Sequence, residues 1–555
     1  MRNPLVALAC VVVALVPVSA QENVDKEMAW RIRREATDRS QVMQTLHMLT
    51  DVHGPRLTGS PQIRAASDWA VQQLTSWGLA NARLEAWDFG HPGWVNERFS
   101  GFIVSPVKDT LTAEVVAWTP GTEGTVTGAA VLVTPPDRPT AEELTSWADS
   151  LKGQLGGKVV LVGKPAAVAV SFNPSAKRRE DAEIRAQYAP VNPAPSPFER
   201  MNQPPAQPEG PKRLTANEIN ERIDAFLVTE KALVKVSDAG RDHGQIRAFN
   251  NRTFDLAKAV PSIVLRNEDY GRIARLLGDK RDVVLEFNIV NRTFPEGRTQ
   301  HNVVAEIPGT DKADEIVMLG GHIDSWHAAT GATDNATGCA IMMEAVRVLQ
   351  ALGVKPRRTI RIALWGGEEQ GLLGSQAYVK EHFGTFEAPK PEYSQLVAYF
   401  NIDMGTGRPR GLSAFGPPEA AAVLRAAVAP YEDLGVFGAT GSKSRRLGGS
   451  DHTAFNVAGL AGIGVQQDPI EYMTHTWHTN LDAYERAIPG DLVKAATVVA
   501  GGVYHLAMRG EPLPRLAKDQ MPAPPRPEGE EAPTRPAPAP AAAPSGGRPS
   551  PPGVR

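Results

Sequence analysis

The chain has 555 residues, more than an ordinary single domain, and this length indicates two or three domains. Apolar residues make up 42% of the sequence, which is enough for sizeable hydrophobic cores, and the formal net charge is only −3. No basic stretch stands out, so the electrostatic footprint of a nucleic-acid-binding protein is absent.

Residues 1–20 have the pattern of a cleavable export signal. Arg2 supplies the positive start, residues 5–16 form an apolar run, and the small residues 18–20 offer a cleavage site before Gln21. The apolar run is short for a spanning helix, and no later stretch is long and apolar enough to cross a bilayer. We therefore predict an exported protein, periplasmic or extracellular, without a membrane span.

Residues 22–100 are predicted to be largely helical. Ser60 followed by Pro61 is a favourable helix start, because serine caps the first turn and proline is tolerated at the first helical position. From Ile63 to Leu79 the apolar residues recur at helical spacing.

Residues 105–295 have a different pattern, with short β-branched runs separated by glycine and proline turns. TVTGAAVLVT and GKVVLVG are typical of strands, and Thr215 and Glu218 form a capping box at the start of a helix. The proline-rich stretch 189–212 is predicted to be a surface loop. We interpret this region as a small β-rich domain inserted into a larger one.

Strand and helix signals alternate between residues 296 and 511. Buried strands are predicted for EIVMLGG, TIRIALWG, LVAYFNID and LAGIGVQQ, and helices for TGCAIMMEAVRVLQAL and DLVKAATVVAGGVYHLAM. Such alternation predicts an α/β fold with a mainly parallel mixed sheet flanked by helices. The tail, residues 512–555, is dominated by proline and alanine and is predicted to be disordered.

Residue types that can ligate metals, histidine, aspartate and glutamate, follow successive predicted strands. In chain order they are His322 and Asp324, then Asp334 in the next loop, then Glu368 and Glu369, then Asp403, and finally His475 and His478 in a late loop. Ligands bind at the carboxyl ends of strands in open α/β sheets, and imidazole with carboxylate is the expected donor set of a catalytic zinc site.

Each of these residues alone also has a structural explanation. Asp334 fits the cap of a helix that begins near Ala336, and a single loop carboxylate is usually solvated. Glu368 and Glu369 fit that explanation poorly, because adjacent carboxylates at the mouth of a buried strand repel each other unless a cation is bound. The joint occurrence at successive strand ends therefore favours a metal centre.

Six segments together resemble the aminopeptidase-type di-zinc exopeptidase family. They are GGHIDSW, TDNATG, LWGGEEQGLLGS, NIDMG, GGSDHTAF and HTNLD. HIDSW and KPRRTIRIALWGGEEQG resemble in particular the carboxypeptidase Q group of that family, and the early VHGPRLTGS is similar to that group's opening. The resemblance implies a discontinuous zinc peptidase domain of residues 21–104 and 296–511, with residues 105–295 as an inserted domain of the protease-associated type.

The resemblance also implies two zinc ions and a role for each matching residue. The implied metal ligands are His322, Asp334, Glu369, Asp403 and His478. Asp334 would bridge both ions, with a cis peptide bond to Asn335, and Glu369 would lie opposite His478 at one ion.

Two further residues have implied catalytic roles. Asp324 would orient His322, a support that metal-bound histidines normally need, and Glu368 would be the general base. Asp451 and His452 fall in a segment that lines the substrate pocket in relatives, and the alternative is a structural hydrogen-bonded pair.

The late histidine ligand has two candidates in YMTHTWHTNLD. His478 has Asp482 four residues further on, as in the family pattern, whereas His475 lacks that partner. Relatives often have a tyrosine near the oxyanion, but Trp477 precedes His478 here, so the sequence does not identify that donor.

The expected activity is hydrolysis of dipeptides, or of N-terminal residues of short peptides, by metal-activated water. No arginine lies inside the ligand motifs, and Arg445 and Arg446 are the nearest in sequence, so the motifs favour recognition of the amino end of the substrate. The alternatives are a carboxypeptidase, a single-zinc glutaminyl cyclase of the same fold, and a non-enzymatic binding protein. A homodimer is compatible with the sequence.

Overall fold

The computed structural model describes residues 22–172, 177–189 and 211–525. Within them the α-helices are α1 Lys26–Asp38, α2 Val42–His47, α3 Pro61–Ser76, α4 Ala141–Ser150, α5 Asp181–Gln187, α6 Ala216–Glu230, α7 Asn267–Gly278, α8 Thr337–Ala351, α9 Leu373–His382, α10 Pro418–Val428, α11 His452–Val457 and α12 Pro489–Met508. The β-strands are β1 Ala80–Asp88, β2 Gly93–Ser105, β3 Asp109–Thr110, β4 Ala113–Val115, β5 Thr125–Val133, β6 Val159–Val162, β7 Val234–Asp238, β8 Ser262–Leu265, β9 Val284–Phe294, β10 Thr299–Ile307, β11 Lys312–His322, β12 Arg358–Trp365, β13 Leu396–Asn401, β14 Pro409–Phe415, β15 Ala439–Ser442 and β16 Gly462–Gln467.

Two predicted segments fall largely or wholly outside these residues. They are the export signal, residues 1–20, and most of the proline-rich loop 189–212. Across the described ranges, no helix combines the length and apolar character that crossing a membrane requires.

One eight-stranded sheet has the strand order β1-β10-β12-β11-β13-β16-β14-β15. Its central strands β12, β11, β13 and β16 are parallel, whereas β1 and β10 join their neighbours antiparallel. β14 pairs antiparallel with β16 and parallel with β15. The central strands are apolar along nearly their whole length because helices cover both faces. The prediction of an α/β fold with a mixed sheet is confirmed.

Alternate residues of the central strands pack on opposite faces of this sheet. Leu319 of β11 packs in the larger core with α1, α3, α8 and α12, whereas Met318 packs in a smaller core with α9 and α11. This layering brings the ends of β11, β12 and β13 to one edge between the two helix layers.

A second eight-stranded sheet has the order β3-β2-β9-β5-β6-β7-β8-β4. Its strands β5 to β8 are parallel, and the others pair antiparallel. The sheet begins with β2 at Gly93, so the predicted start of the β-rich region at residue 105 is too late. The boundary was misplaced because β2 pairs with β9, which is distant in sequence.

The prediction that residues 22–100 are largely helical is wrong after α3. Helices account for the chain up to Ser76, but β1 and β2 follow. β1 pairs with β10 at the edge of the first sheet, a contact between segments far apart in sequence that no local pattern indicates. Two local helix signals are confirmed: the Ser60 side chain accepts the Ile63 N–H, and the Thr215–Glu218 capping box forms at α6.

The prediction of disorder from residue 512 is wrong for residues 512–525. Leu513 and Leu516 are buried, and Arg515 donates to the carbonyl of Tyr393 at 3.3 Å. Leu513 packs in the larger core of the first sheet, which fixes this segment there. Residues 526–555 lie outside the described residues.

Candidate metal centre

The predicted ligands converge at the carboxyl end of the first sheet. His322 ends β11, Asp334 lies in the turn before α8, Glu369 follows β12, Asp403 follows β13, and His478 lies in the loop between β16 and α12. Because β11, β12 and β13 run parallel, their carboxyl ends meet at the same edge. The peptide bond between Asp334 and Asn335 is cis, as the resemblance implies.

Asp334 lies between two histidines. Its Oδ1 is 3.2 Å from His322 Nε2, and its Oδ2 is 3.0 Å from His478 Nε2. Asp403 Oδ1 lies 3.6 Å from His322 Nε2, and Glu369 Oε2 lies 3.0 Å from His478 Nε2. The five side chains therefore form two groups, each with one imidazole and one carboxylate, that share Asp334.

Several ligand atoms of this cluster lack hydrogen-bond partners and are suited to binding a cation. His322 Nε2, Asp334 Oδ2 and Glu369 Oε1 are buried and have no well-formed hydrogen bond among the described residues. One ligand atom from each of these residues lies within 4.8 Å of the others. Buried polar atoms without partners are costly, and zinc takes nitrogen and carboxylate oxygen as ligands.

Electrostatic crowding perturbs the ionisation of the cluster. Burial raises the pKa of Glu369 to about 7. Burial alone would lower the pKa of His478, but Glu369 and Asp334 raise it to about 10. Burial alone would raise the pKa of Asp334, but His322 and His478 hold it below its usual range. Carboxylates and imidazoles thus share a site from which water is excluded, and a bound cation would compensate the negative charge.

Asp324 connects the two ends of the site. Its carboxylate accepts the backbone N–H groups of Glu368 at 3.1 Å and Glu369 at 3.2 Å, and it also accepts the Thr58 hydroxyl. Its Oδ1 lies 3.5 Å from His322 Nδ1. Asp324 therefore holds both the turn that carries the two glutamates and the imidazole of His322. The sequence predicted only the contact with His322.

Arg56 is a supporting residue that sequence reasoning missed. It is fully buried, and its guanidinium donates to the carbonyls of Ile323 at 2.6 Å, Thr330 at 2.8 Å and Gly331 at 2.9 Å. It thereby holds the backbone next to Asp324 and in the turn before Asp334. The only sequence clue to Arg56 is that it lies in VHGPRLTGS, a segment that resembles the family but for which no role of the arginine was predicted.

The structure separates the two candidate histidines. His478 joins Asp334 and Glu369, whereas His475 Nδ1 lies 2.9 Å from the Thr474 hydroxyl, outside the cluster. Asp482 does not contact His478 as the spacing suggested. Its carboxylate accepts the N–H groups of Thr333 at 2.5 Å and Asp334 at 3.1 Å, so it orients the bridging aspartate instead.

Tyr472 is a second residue that the sequence reasoning missed. Its hydroxyl donates to Asp403 Oδ1 at 3.1 Å. Its ring packs against Gly405, where a Cβ would approach the ring to 2.9 Å and where φ is +81°. Tyr472 is the nearest tyrosine before His478 in sequence, but only the fold of the loop reveals that it reaches the site.

The predicted substrate residues Asp451 and His452 occupy different positions. His452 lines a cavity together with Asp403, Ser413 and Gln466. Burial lowers the pKa of His452 to about 4, so the imidazole is neutral. Asp451 is fully buried, and within the described residues no hydrogen bond joins it to His452, so the hydrogen-bonded pair does not form.

Known sequences are similar to this chain in the region that carries the metal centre. Residues 302–503 match the family model described as Peptidase family M28. Carboxypeptidase Q from Mus musculus is 25% identical over 476 residues, which cover 85% of this chain and 87% of the relative. A probable glutamate carboxypeptidase from Arthroderma benhamiae is 35% identical over 201 residues, or 33% of this chain and 26% of the relative.

Solved structures of similar fold cover most of the chain. A peptidase M28 precursor from Shewanella amazonensis SB2B aligns with a TM-score of 0.62 and 25% identity, covering 89% of this chain and 98% of that one. BSAP, a zinc aminopeptidase from Bacillus subtilis, aligns with a TM-score of 0.53 and 18% identity, covering 84% and 95%. The resemblance to M28-type peptidases inferred from the motifs is confirmed.

Proposed function

We propose that this chain, an M28-type metallopeptidase, is an exopeptidase that uses two zinc ions to cleave dipeptides or remove N-terminal residues from short peptides. The observation that carries the proposal is the position of Asp334, with one carboxylate oxygen near His322 and the other near His478. A shared carboxylate flanked by two imidazole–carboxylate groups is suited to a pair of ions. The zinc named for the Bacillus subtilis aminopeptidase agrees with this donor set.

The two groups divide the ligands between the ions. His322 and Asp403 would hold one zinc, His478 and Glu369 would hold the other, and Asp334 would bind both. When bound, the ions supply Lewis-acid activation of water and of the scissile carbonyl.

Glu368 is the proposed general base. Asp324 accepts its backbone N–H at the mouth of β12, and the charges of His322 and Asp403 act on its carboxyl, which supports a position beside the cluster. Burial is the main cause that raises the pKa of Glu368 above its usual value. Such a carboxylate takes a proton from the attacking water and returns one to the leaving amine.

Tyr472 is the proposed donor to the developing oxyanion. Its hydroxyl lies beside Asp403, and a phenol in a water-poor site can stabilise negative charge on the carbonyl oxygen. Tyr472→Phe should lower kcat on the order of 100-fold while both ions are retained. Metal analysis with steady-state kinetics checks this, and an unchanged kcat would remove Tyr472 from the mechanism.

The acidic character of the site favours a substrate with a free amino group. Of the two arginines nearest in sequence to the ligand motifs, Arg445 is engaged elsewhere: it pairs with Glu387 at 2.7 Å and donates to the carbonyl of Val457. A single-zinc cyclase is less favoured, because both halves of the ligand set are complete. His452 remains our candidate for contact with the substrate side chain, and Asp451 is proposed with it on the resemblance alone.

The remaining parts of the proposal concern organisation and location. The second sheet supports a protease-associated type of insert between two parts of a peptidase domain. The pattern of residues 1–20 supports export to the periplasm or the medium, with a mature chain that begins near Gln21.

The decisive experiment combines metal analysis with a matched substrate pair. The purified mature protein should contain two zinc ions per chain and hydrolyse an unblocked dipeptide, and N-acetylation should greatly reduce turnover. Faster cleavage of the blocked peptide would make the enzyme a carboxypeptidase. One zinc with cyclisation of an N-terminal glutamine would identify a cyclase, and absence of any turnover would leave a binding protein.

A further inference from the structure

The insert reaches the metal centre through one segment between β7 and β8. In that segment the Ile246 N–H donates to Asn480 Oδ1 at 2.9 Å, and the Asn480 N–H donates back to the carbonyl of Ile246 at 3.0 Å. The Phe249 ring meets the His478 imidazole edge to face, with centroids 5.5 Å apart. The segment is therefore part of the wall around His478.

Arg247, in the middle of this segment, forms no ion pair among the described residues, although the negative charge of Asp334 acts on it. Its Nε donates to the carbonyl of Trp477 at 3.1 Å, and its guanidinium lies 4.6 Å from the centroid of the Trp477 ring. Among the described residues no carboxylate pairs with it, and its two terminal nitrogens make no hydrogen bond. Burial is the main cause that lowers the pKa of Arg247 to about 10, so the side chain is still charged at neutral pH.

Other arginines around the site are already occupied. Arg56 is saturated by backbone carbonyls, and Arg445 pairs with Glu387. Arg241, close to Arg247 in the insert, donates to Gln245 and to the carbonyl of Thr474. Arg247 therefore offers, within the part of the chain that the structure describes, two guanidinium nitrogens without a hydrogen bond near His478.

We propose that Arg247 binds the C-terminal carboxylate of the substrate and makes this enzyme selective for dipeptides. The inference rests on the proposed function. In a dipeptide the terminal carboxylate is three covalent bonds from the scissile carbonyl carbon, so it must stay close to the metal ligands. In a longer peptide an uncharged carbonyl takes that place. Arg247 is hydrogen-bonded to the carbonyl of Trp477, the residue before His478. A guanidinium pairs with a carboxylate through two parallel hydrogen bonds.

The proposal is tested with one dipeptide and its C-terminal amide, which differ only in the charge at that end. The wild-type full-length mature enzyme should prefer the free carboxylate. Arg247→Ala should lower kcat/KM for the dipeptide by about 10- to 100-fold and change that for the amide by less than about threefold. Zinc content and thermal midpoint should be unchanged, and Arg247→Lys should recover part of the loss.

Arg292 provides a matched control. Like Arg247 it belongs to the insert and has its guanidinium near an aromatic ring, 5.2 Å from the Phe294 centroid, but it lies in β9, and Arg292→Ala should leave both substrates unaffected. An equal loss on both substrates, or loss of zinc, in Arg247→Ala would mean that Arg247 only supports Trp477 and His478, and would overturn the proposal. A wild-type enzyme that cleaves both substrates equally well would also overturn it. A zinc-loaded wild type that cleaves neither would count against the exopeptidase proposal itself.

Discussion

Glu368 and Glu369 are neighbours in sequence, but their side chains have different surroundings. Glu369 lies 3.0 Å from His478 Nε2, whereas no histidine pairs with Glu368 among the described residues. Glu368→Gln should therefore keep both zinc ions and lose about 10²- to 10⁴-fold in kcat, because an amide cannot accept the proton. Glu369→Gln is the matched control and should lose zinc. Near-normal turnover of Glu368→Gln would exclude it as the base.

The two late histidines should respond differently to the same change. His478→Ala removes an imidazole that approaches both Asp334 and Glu369, so zinc content and activity should fall together. His475→Ala removes a side chain whose nearest polar contact is Thr474, so the metals should remain. Metal analysis of both variants decides the assignment, and the reverse result would exchange the two roles.

Glu114 of β4 is a partly buried acid whose ionisation should affect stability. Burial raises the pKa of Glu114 from 4.5 to about 8. Between these two pH values the folded protein keeps a proton that the unfolded chain releases. The contribution of Glu114 to the free energy of unfolding is therefore fully present below pH 4.5 and is lost as the pH rises towards 8. The effect should be on the order of 1 kcal/mol, because the side chain lines a cavity and keeps some contact with water.

Glu114→Gln isolates this effect from all other titrating groups. The free energy of unfolding, measured with urea at pH 5 and pH 8, should fall less with pH in the variant than in the wild type. Identical pH dependence in both proteins would show that Glu114 is solvated in the folded state.

The elements differ in how far the sequence predicts them. β11, β12 and β13 were predictable because a strand buried on both faces is a continuous apolar run, and the ligands at their ends follow from the parallel order. β1 and β2 were not, because their partners β10 and β9 lie some two hundred residues away. For the same reason Tyr472 and Arg247 were missed, since each belongs to the site through loop contacts that have no local pattern.

The strap, residues 177–189 of the predicted insert, packs against β14 of the first sheet. Asp181 pairs with Arg408 at 2.7 Å and with Arg410 at 2.8 Å. Tyr188 is buried against Gly411, where a Cβ would come within 2.1 Å of the ring. Only glycine at this position leaves room for the aromatic ring, so the strap is fixed by shape as well as by charge.

Tyr188 therefore tests whether the strap holds the insert on the first sheet. Tyr188→Ala should leave a cavity and cost about 3 kcal/mol in the free energy of unfolding, whereas Tyr188→Phe keeps the ring and should cost little. Because the insert also contacts the His478 loop through Ile246 and Asn480, loosening the strap should weaken zinc binding without any change in a ligand. Limited proteolysis within 177–189 and zinc titration of both variants measure this. If Tyr188→Ala keeps the wild-type cleavage rate and zinc affinity, the strap does not couple the insert to the metal centre.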